Sequence, residues 1–252
     1  MLAPTQRFSS RVDNYVRYRP SYPVAVTDLL CRECGLNSNA VVADIGSGTG
    51  KLTELLLRCA GHVFGVEPNQ EMREAGERLL KSQPHLTSVA ATAEATTLPN
   101  QSVDIVVAGQ AFHWFDRERC CVEFQRILKP NGWVALIWND RRTDTTPFLS
   151  AYEALLREFA TDYEQVNHRN IDAAVIQQFF RTEVKSKSIP YAQQFDFEGL
   201  QGRLLSSSYA PEPGQPGHEA MLTRLREIFT AHQRNGQVTF DYDTLVYYSK
   251  LA

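Results

Sequence analysis

Short apolar runs alternate over the first 140 residues with stretches in which apolar residues recur every three or four positions. The short runs predict buried strands, and the periodic stretches predict amphipathic helices. The predicted strands cover residues 40–45, 62–66, 86–91, 103–108 and 133–138. Because strands that alternate with helices form a parallel sheet covered on both faces, this pattern predicts a Rossmann-like α/β fold.

The two ends of the chain follow other patterns. Two helices are predicted over residues 7–34, where Phe8, Val12 and Tyr15 would share one helical face. Strict alternation of apolar and polar residues from Val238 to Tyr248 predicts a strand, antiparallel and at or near the sheet edge. Between these ends, helices are predicted near 148–160, 171–180, 198–207 and 222–232, with a strand near 183–191. The sequence therefore predicts a seven-stranded, mostly parallel sheet with helices on both faces and an antiparallel C-terminal strand.

A glycine-rich turn, Asp44-Ile45-Gly46-Ser47-Gly48-Thr49-Gly50, follows the first predicted strand and opens a helix. Such a turn lets a ligand approach the backbone and the free N–H groups of the helix start. A phosphate-binding P-loop is nearly excluded, because Ile45 and Leu52 stand where that loop needs Gly and Ser or Thr. The dinucleotide pattern Gly-x-Gly-x-x-Gly fits poorly, since the third glycine comes one residue early. By itself, the turn leaves open a nucleotide-type ligand or no ligand at all.

Glu67 closes the second predicted strand and is followed by Pro68. An acid at this position can accept hydrogen bonds from both ribose hydroxyls of an adenosine. NAD-binding proteins use the same device, so Glu67 supports an adenosine-containing ligand without choosing one.

Three segments then carry a resemblance to a known family. Asp44–Gly50 resembles motif I of class I S-adenosylmethionine (SAM)-dependent methyltransferases, and the segment beginning Thr92-Ala93-Glu94 resembles the stretch after strand three in UbiE-like, or type 11, methyltransferases. The run Gln110-Ala111-Phe112-His113-Trp114-Phe115 is similar to the trans-aconitate methyltransferase-like subgroup, as is Tyr18-Arg19-Pro20-Ser21-Tyr22-Pro23. The resemblance covers residues 8–140 well and the remainder weakly.

The resemblance implies SAM as the cofactor, S-adenosylhomocysteine as its product, and no metal. It implies cofactor contacts from residues at the carboxyl ends of strands: Asp44, Gly46, Ser47, Gly48, Gly50, Glu67, Pro68, Thr92, Ala93, Glu94 and Gln110. It also implies that the backbone N–H of Ala93 reaches the adenine ring. Thr92 stands where the family commonly has Asp, so either its hydroxyl or Glu94 would bind the adenine amino group.

A small-molecule acceptor would bind at the same edge of the sheet. The candidate acceptor-binding residues are Tyr18, Arg19, His113, Trp114 and Arg141, with Arg142 as a further anion binder. Arginine suits bidentate recognition of a carboxylate, whether that of the SAM methionine tail or that of an acidic acceptor. His113 could act as a catalytic base, hold an acceptor carboxylate, or pack beside the aromatic residues.

Composition narrows the classes of partner. The net charge of −3 argues against nucleic-acid binding, and no apolar run approaches the roughly 20 residues of a membrane span. We expect a cytoplasmic protein, monomeric or weakly dimeric, with reduced cysteines. A single domain over residues 1–252 would comprise an N-terminal helical lid at 1–36, a SAM-binding core at 37–140, and substrate-cap insertions at 141–170 and 198–235.

These observations favour a SAM-dependent methyltransferase that acts on a small molecule, with O-methylation of a carboxylate as one option. The alternatives are a SAM-binding protein without turnover and a nicotinamide-dependent oxidoreductase that uses the same glycine turn.

Overall fold

The computed structural model describes residues 11–161, 163 and 171–252. In this part of the chain, seven strands form one sheet in the order β3-β2-β1-β4-β5-β7-β6. The strands are β1 Val41–Ile45, β2 His62–Val66, β3 Leu86–Val89, β4 Val103–Gly109, β5 Leu128–Arg141, β6 Lys185–Phe195 and β7 Val238–Ser249. Strands β1 to β5 pair in parallel, whereas β7 runs antiparallel to both of its neighbours. The predicted mostly parallel sheet with an antiparallel C-terminal strand is confirmed.

Helices surround this sheet. They are α1 Val12–Tyr18, α2 Ala25–Cys34, α3 Lys51–Leu56, α4 Gln70–Leu79, α5 Arg117–Ile127, α6 Pro147–Phe159, α7 Ala173–Phe180, α8 Phe197–Leu205 and α9 His218–His232. The Asn69 side chain accepts a hydrogen bond from the Met72 N–H at the start of α4, and the Asp116 side chain accepts one from the Arg119 N–H at the start of α5. Both side chains therefore supply an acceptor to helix N–H groups that have no intrahelical partner.

Two strands extend beyond their predicted limits. β5 begins at Leu128, where the chain passes directly from α5, and its pairing with β4 shifts register before Trp133. Asn131 lies within this irregularity at φ 66°, so the Pro-Asn-Gly segment that reads as a turn forms a bulge in the strand. β6 continues to Phe195 because β7 pairs with it along its whole length. Phe8 and the rest of residues 1–10 lie outside the described residues.

Burial separates three apolar clusters. Two of them cover the faces of the central strands, whereas the third joins α6, α8 and α9 to β7. In β7 every second side chain is buried, from Val238 to Tyr248, as the alternation predicts. Tyr242 and Phe240 of this strand belong to the third cluster. The helices after β5 thus have a core of their own, placed beside the carboxyl edge of the parallel strands.

Candidate active site

A cavity of about 280 Å³ opens at the carboxyl ends of β1, β2, β4 and β5. Most of the predicted site residues line it, although they come from widely separated parts of the sequence. They are Arg19, Asp44, Gly46, Ser47, Gly48, Glu67, Pro68, Thr92, Ala93, Glu94, Gln110, His113, Trp114 and Arg141. This is the edge at which ligands bind in open α/β sheets.

The glycine turn follows β1 and presents its backbone to the cavity. Gly46 has a φ of 70°, and a Cβ on it would lie 2.5 Å from the Cβ of Ala111. A side chain there would be both strained and obstructed. Gly50, by contrast, does not line the cavity; a Cβ on it would lie 2.6 Å from Cδ1 of Leu80. The structure therefore gives Gly50 a packing role at the start of α3.

Asp44 is the buried acid of the turn. Its Oδ2 accepts a hydrogen bond of 2.6 Å from the Thr53 hydroxyl, while Oδ1 is buried with no hydrogen-bond partner among the described residues. Burial raises the pKa of Asp44 to about 7, although the hydrogen bond from Thr53 opposes the rise and the charge of Glu67 adds to it. Oδ1 is therefore an acceptor available to a ligand in the cavity.

Glu67 is held by two backbone donors. Its Oε2 accepts from the Gly48 N–H at 2.9 Å, and its Oε1 accepts from the Asn69 N–H at 2.8 Å. Burial raises the pKa of Glu67, and the two backbone hydrogen bonds oppose that rise. Each oxygen keeps further acceptor capacity, so the carboxylate is both oriented and able to bind donors on a ligand.

Thr92 and Glu94 occupy different situations on the cavity wall. Thr92 is exposed, whereas Glu94 is half-buried and its Oε1 accepts from the Asp116 N–H at 2.9 Å, at the start of α5. Glu94 is thus tied to a helix terminus. Of the two predicted partners for an adenine amino group, the Thr92 hydroxyl is the less committed.

Three more predicted residues follow β4. Gln110 has a φ of 57°, and its Nε2 donates to the Asn139 carbonyl at 3.1 Å. His113 and Trp114 lie on a short 3-10 helix, Phe112–Trp114, with their ring centroids 4.7 Å apart. Both residues are half-buried and line the cavity.

Three arginines line the cavity, of which Arg141 and Arg203 are buried and Arg19 is half-buried, and they are paired in two different ways. Arg141 has a neutralising partner, because its NH2 donates to Oε2 of Glu153 at 2.6 Å, and the Tyr163 hydroxyl donates to the same oxygen at 2.9 Å. Arg19 and Arg203, by contrast, have no carboxylate within 4.0 Å in the part of the chain that the structure describes.

The partners of Arg19 and Arg203 are neutral. Arg19 NH2 donates to the Ser206 carbonyl at 3.1 Å, and Arg203 NH1 donates to the Ser207 hydroxyl at 3.3 Å. The Nε atoms of both arginines are buried without a hydrogen-bond acceptor. Burial, with the nearby charge of Arg203, lowers the pKa of Arg19. Two cations with open donors therefore share one end of the cavity.

Two residues predicted to bind an anion or the acceptor, Tyr18 and Arg142, do not line the cavity. Tyr18 packs its ring against Gly202 of α8, and its hydroxyl donates to Glu198 at 3.3 Å. Tyr15 and Arg19 lie four residues apart on α1 and its end, so they share the face that lines the cavity while Tyr18 turns towards α8. Arg142 pairs with Asp243 at 2.9 Å instead.

Sequence reasoning missed Arg203 and a group of tyrosines in the wall. The tyrosines are Tyr15, Tyr22, Tyr163, Tyr209 and Tyr242. The alternation of β7 marks Tyr242 only as buried, yet its hydroxyl has no hydrogen-bond partner among the described residues. Arg203 lies on α8 within no recognisable motif. The spacing of Tyr15 from Arg19 was the one available signal, since it places both on a single helix face.

Within the described ranges, no group of three or more His, Cys, Asp and Glu side chains could hold a metal ion. Among the same residues, no helix is long and apolar enough to span a membrane.

Comparison with known proteins adds the family. A family model described as a methyltransferase domain matches residues 43–136. An uncharacterised methyltransferase of Schizosaccharomyces pombe is 30% identical over 247 residues, which is 96% of this chain and 96% of that protein. A structure from Anaeromyxobacter dehalogenans, provisionally assigned as a type II methyltransferase, superposes with a TM-score of 0.67 at 20% identity, covering 92% of this chain and 98% of that one.

A more distant fold neighbour is geranyl diphosphate C-methyltransferase of Streptomyces coelicolor, solved with Mg²⁺, geranyl diphosphate and S-adenosylhomocysteine. Its TM-score is 0.50 at 15% identity, over 90% of this chain and 77% of that one. These matches do not confirm the more specific resemblance to trans-aconitate methyltransferases, which stays a prediction.

Proposed function

Because the chain belongs to the class I SAM-dependent methyltransferases, we propose that it methylates a carboxylate of a small molecule bound beside Arg19 and Arg203. The nicotinamide-dependent alternative is set aside with this family assignment. One observation carries the choice of acceptor: the Nε atoms of two arginines that line the cavity are buried, and neither arginine has a carboxylate within 4.0 Å among the described residues.

The glycine-turn end of the cavity has the features that SAM requires. Asp44 Oδ1 is a buried acceptor without a partner, and the carboxylate of Glu67 is fixed by two backbone N–H groups. We assign Glu67 to the ribose hydroxyls and Asp44 to the methionine end. The Thr92 hydroxyl and the Ala93 N–H are assigned to the adenine. When bound, SAM supplies an electrophilic methyl group on a positively charged sulfur.

The part of the cavity beside Arg19 and Arg203 suits an anion for energetic reasons. An isolated buried charge is costly, and an ion that binds beside it offsets that cost. Arg19 and Arg203 each keep a free Nε donor, and Tyr242 adds a buried hydroxyl. Donors of this kind form strong, charge-assisted hydrogen bonds to a carboxylate. Because Glu153 neutralises Arg141, that arginine is assigned to the wall of the site.

A carboxylate acceptor is already ionised near neutral pH, so the chain need not remove a proton from it. Its task is to hold the acceptor oxygen in line with the reacting methyl group and to exclude water. This task depends on proximity and orientation. His113 and Trp114 line the same cavity, and we assign His113 to acceptor positioning rather than to proton transfer.

The helices outside the central sheet would select the acceptor. We propose residues 37–140 as the SAM-binding core, residues 1–36 as a lid, and the segments 141–170 and 198–235 as the substrate cap. Support comes from α8, which carries Arg203, and from α1, which presents Tyr15 to the cavity and is followed directly by Arg19.

The direct test is methyl transfer from radiolabelled SAM to a panel of small mono-, di- and tricarboxylic acids, each paired with its amide. We expect labelled methyl esters from one or more acids and none from the matched amides. His113→Ala, assayed in parallel from pH 6 to pH 9, should lower turnover equally across that range. A loss that high pH rescues would instead identify His113 as a base.

Two outcomes would contradict the proposal. Methylation of amines, phenols or carbon acids, with no acid esterified, would assign another acceptor class. Tight SAM binding without turnover on any acceptor would favour a SAM-binding protein that is not an enzyme.

A further inference from the structure

Arg11, at the start of α1, contacts a segment almost 200 residues away. This segment, residues 205–212, connects the end of α8 with the loop before α9. Arg11 NH1 donates to the carbonyls of Leu205, at 3.2 Å, and Ser207, at 2.5 Å. Arg11 NH2 donates to the Ala210 carbonyl at 2.8 Å and to Oε1 of Glu212 at 3.3 Å.

The Arg11 side chain is only 10% exposed, whereas the Glu212 side chain is 43% exposed. The ion pair to Glu212 is therefore the most solvated of the four contacts, and the three carbonyl bonds dominate the attachment. The planar guanidinium fork is suited to this task, because it presents several donors in fixed directions.

The 205–212 segment also carries the acceptor end of the cavity. Its Ser206 carbonyl accepts from Arg19, its Ser207 hydroxyl accepts from Arg203, and Tyr209 lines the wall. Arg11 thus contacts the same short segment that orients both open arginines. α1 itself is attached to the cofactor side, because Lys51 Nζ, next to the glycine turn, donates to the Val16 carbonyl at 2.8 Å.

We infer that Arg11 is a positioning residue, which holds the 205–212 segment in place and thereby aligns Arg19 and Arg203 for the acceptor. Arg11 does not line the cavity, so it acts through the segment and not on the acceptor. The consequence for the reaction rests on the proposed function, whereas the consequence for the segment does not.

The test compares Arg11→Gln with Arg17→Gln in the full chain. Arg17 is a matched control, since it lies on the same helix and is exposed. Hydrogen exchange of the amides in residues 203–212 should accelerate in Arg11→Gln and stay unchanged in Arg17→Gln. The dissociation constant for SAM, measured by calorimetry, should change by less than about twofold, because the glycine turn lies outside the contact.

With a carboxylate acceptor identified, Arg11→Gln should lower kcat/KM by about 100-fold, chiefly through KM, because small misplacements of binding groups have effects of that size. Arg11→Lys should recover part of the loss, since it restores the charge but not the fork. Glu212→Gln should stay close to wild type.

The two hypotheses fail in different ways. Unchanged exchange in residues 203–212 of Arg11→Gln would overturn the role of Arg11, whatever the acceptor. Accelerated exchange with an unchanged KM would also overturn it, because the segment would then not align the acceptor site. If no carboxylate is methylated but the exchange accelerates as expected, the proposed acceptor fails while the attachment of the segment stands.

Discussion

The two ends of the cavity are built from different materials. The cofactor end, which we assign to SAM, consists of the glycine turn and of a glutamate that is held by the N–H groups of Gly48 and Asn69. The acceptor end, which we assign to the methyl acceptor, consists of long side chains from distant elements, with Arg19 next to α1 and Arg203 on α8. One end fits a ligand through local backbone geometry, the other through tertiary packing of charged groups.

The difference teaches where selectivity resides. A backbone turn of this kind needs glycines at a fixed spacing in the sequence. It is therefore recognisable as a short motif, and its geometry fits one kind of ligand. Side chains supplied by a cap can be exchanged singly while the fold is kept, because function is carried by sites that are placed on a common scaffold. At the acceptor end, the role that we assign to each arginine therefore depends on whether a carboxylate of the protein neutralises it.

Arg141→Met should give the largest effect, and it tests whether the paired arginine of the acceptor end stabilises the fold. It removes the buried partner of Glu153, a pair with 10% and 11% side-chain exposure, and leaves that carboxylate with the largely exposed Arg157, at 3.3 Å, and the Tyr163 hydroxyl. We expect a loss of up to about 3–5 kcal/mol, because an exposed arginine neutralises the remaining buried charge only in part. Chemical denaturation of the purified variant measures this loss.

The adjacent Arg142→Met is the matched control. Its pair with Asp243 is 41% and 32% exposed, so we expect a much smaller loss of stability than in Arg141→Met. Equal losses in the two variants would show that burial does not separate these arginines.

Arg203→Met should lower activity without lowering stability, unlike Arg141→Met, which should lower stability. The variant removes a buried cation that has no carboxylate within 4.0 Å among the described residues, so its melting temperature in the absence of acceptor should equal or exceed that of wild type. The same change removes charge-assisted hydrogen bonds to the acceptor, each worth about 1.5–3 kcal/mol, or roughly 10- to 150-fold in kcat/KM. Calorimetry and methyl-transfer kinetics measure the two effects separately.

The affinity for SAM provides the internal reference for Arg203→Met and should stay within about twofold of wild type. A large drop in melting temperature would show that Arg203 supports the cap fold rather than an acceptor. Full activity would remove Arg203 from the site.

The fold was largely predictable because its signals are local. Apolar runs and helical spacing predicted the order of strands and helices along the chain. The start of β5 was missed because Pro130-Asn131-Gly132 has the composition of a turn, yet tertiary pairing with β4 draws it into a bulged strand. Pairing across the sheet has no local signature in one chain.

The site divides in the same way. The glycine turn, Glu67 and the segment at Gln110 were predictable, because each directly follows a strand. Arg203 was not, because its role depends on the packing of α8 over the cavity and on the absence of a nearby acid among the described residues. The same holds for Tyr18: spacing alone cannot tell which side of a short helix meets the cavity until α8 is packed against it.

The smallest predicted effect concerns the cofactor end and the titration of Asp44. Its pKa rises from 3.8 to about 7 in the folded state, so the folded protein binds this proton more tightly than the unfolded chain does. The contribution of Asp44 to stability is therefore fully present below the unfolded pKa and is lost as pH rises through the folded pKa. Between pH 6 and pH 8 this group alone should lower the free energy of unfolding by about 1.4 kcal/mol.

Asp44→Asn isolates this contribution, because an amide oxygen can still accept the hydrogen bond from Thr53 but has no proton to lose. Denaturation at pH 6 and pH 8 should show a smaller decline in the variant than in wild type. Burial also raises the pKa of Glu67, so its contribution to the pH dependence has the same sign as that of Asp44. An identical pH dependence in both proteins would mean that Asp44 is already ionised in the folded state at pH 6, and that the cofactor end stabilises a buried carboxylate without a bound cation.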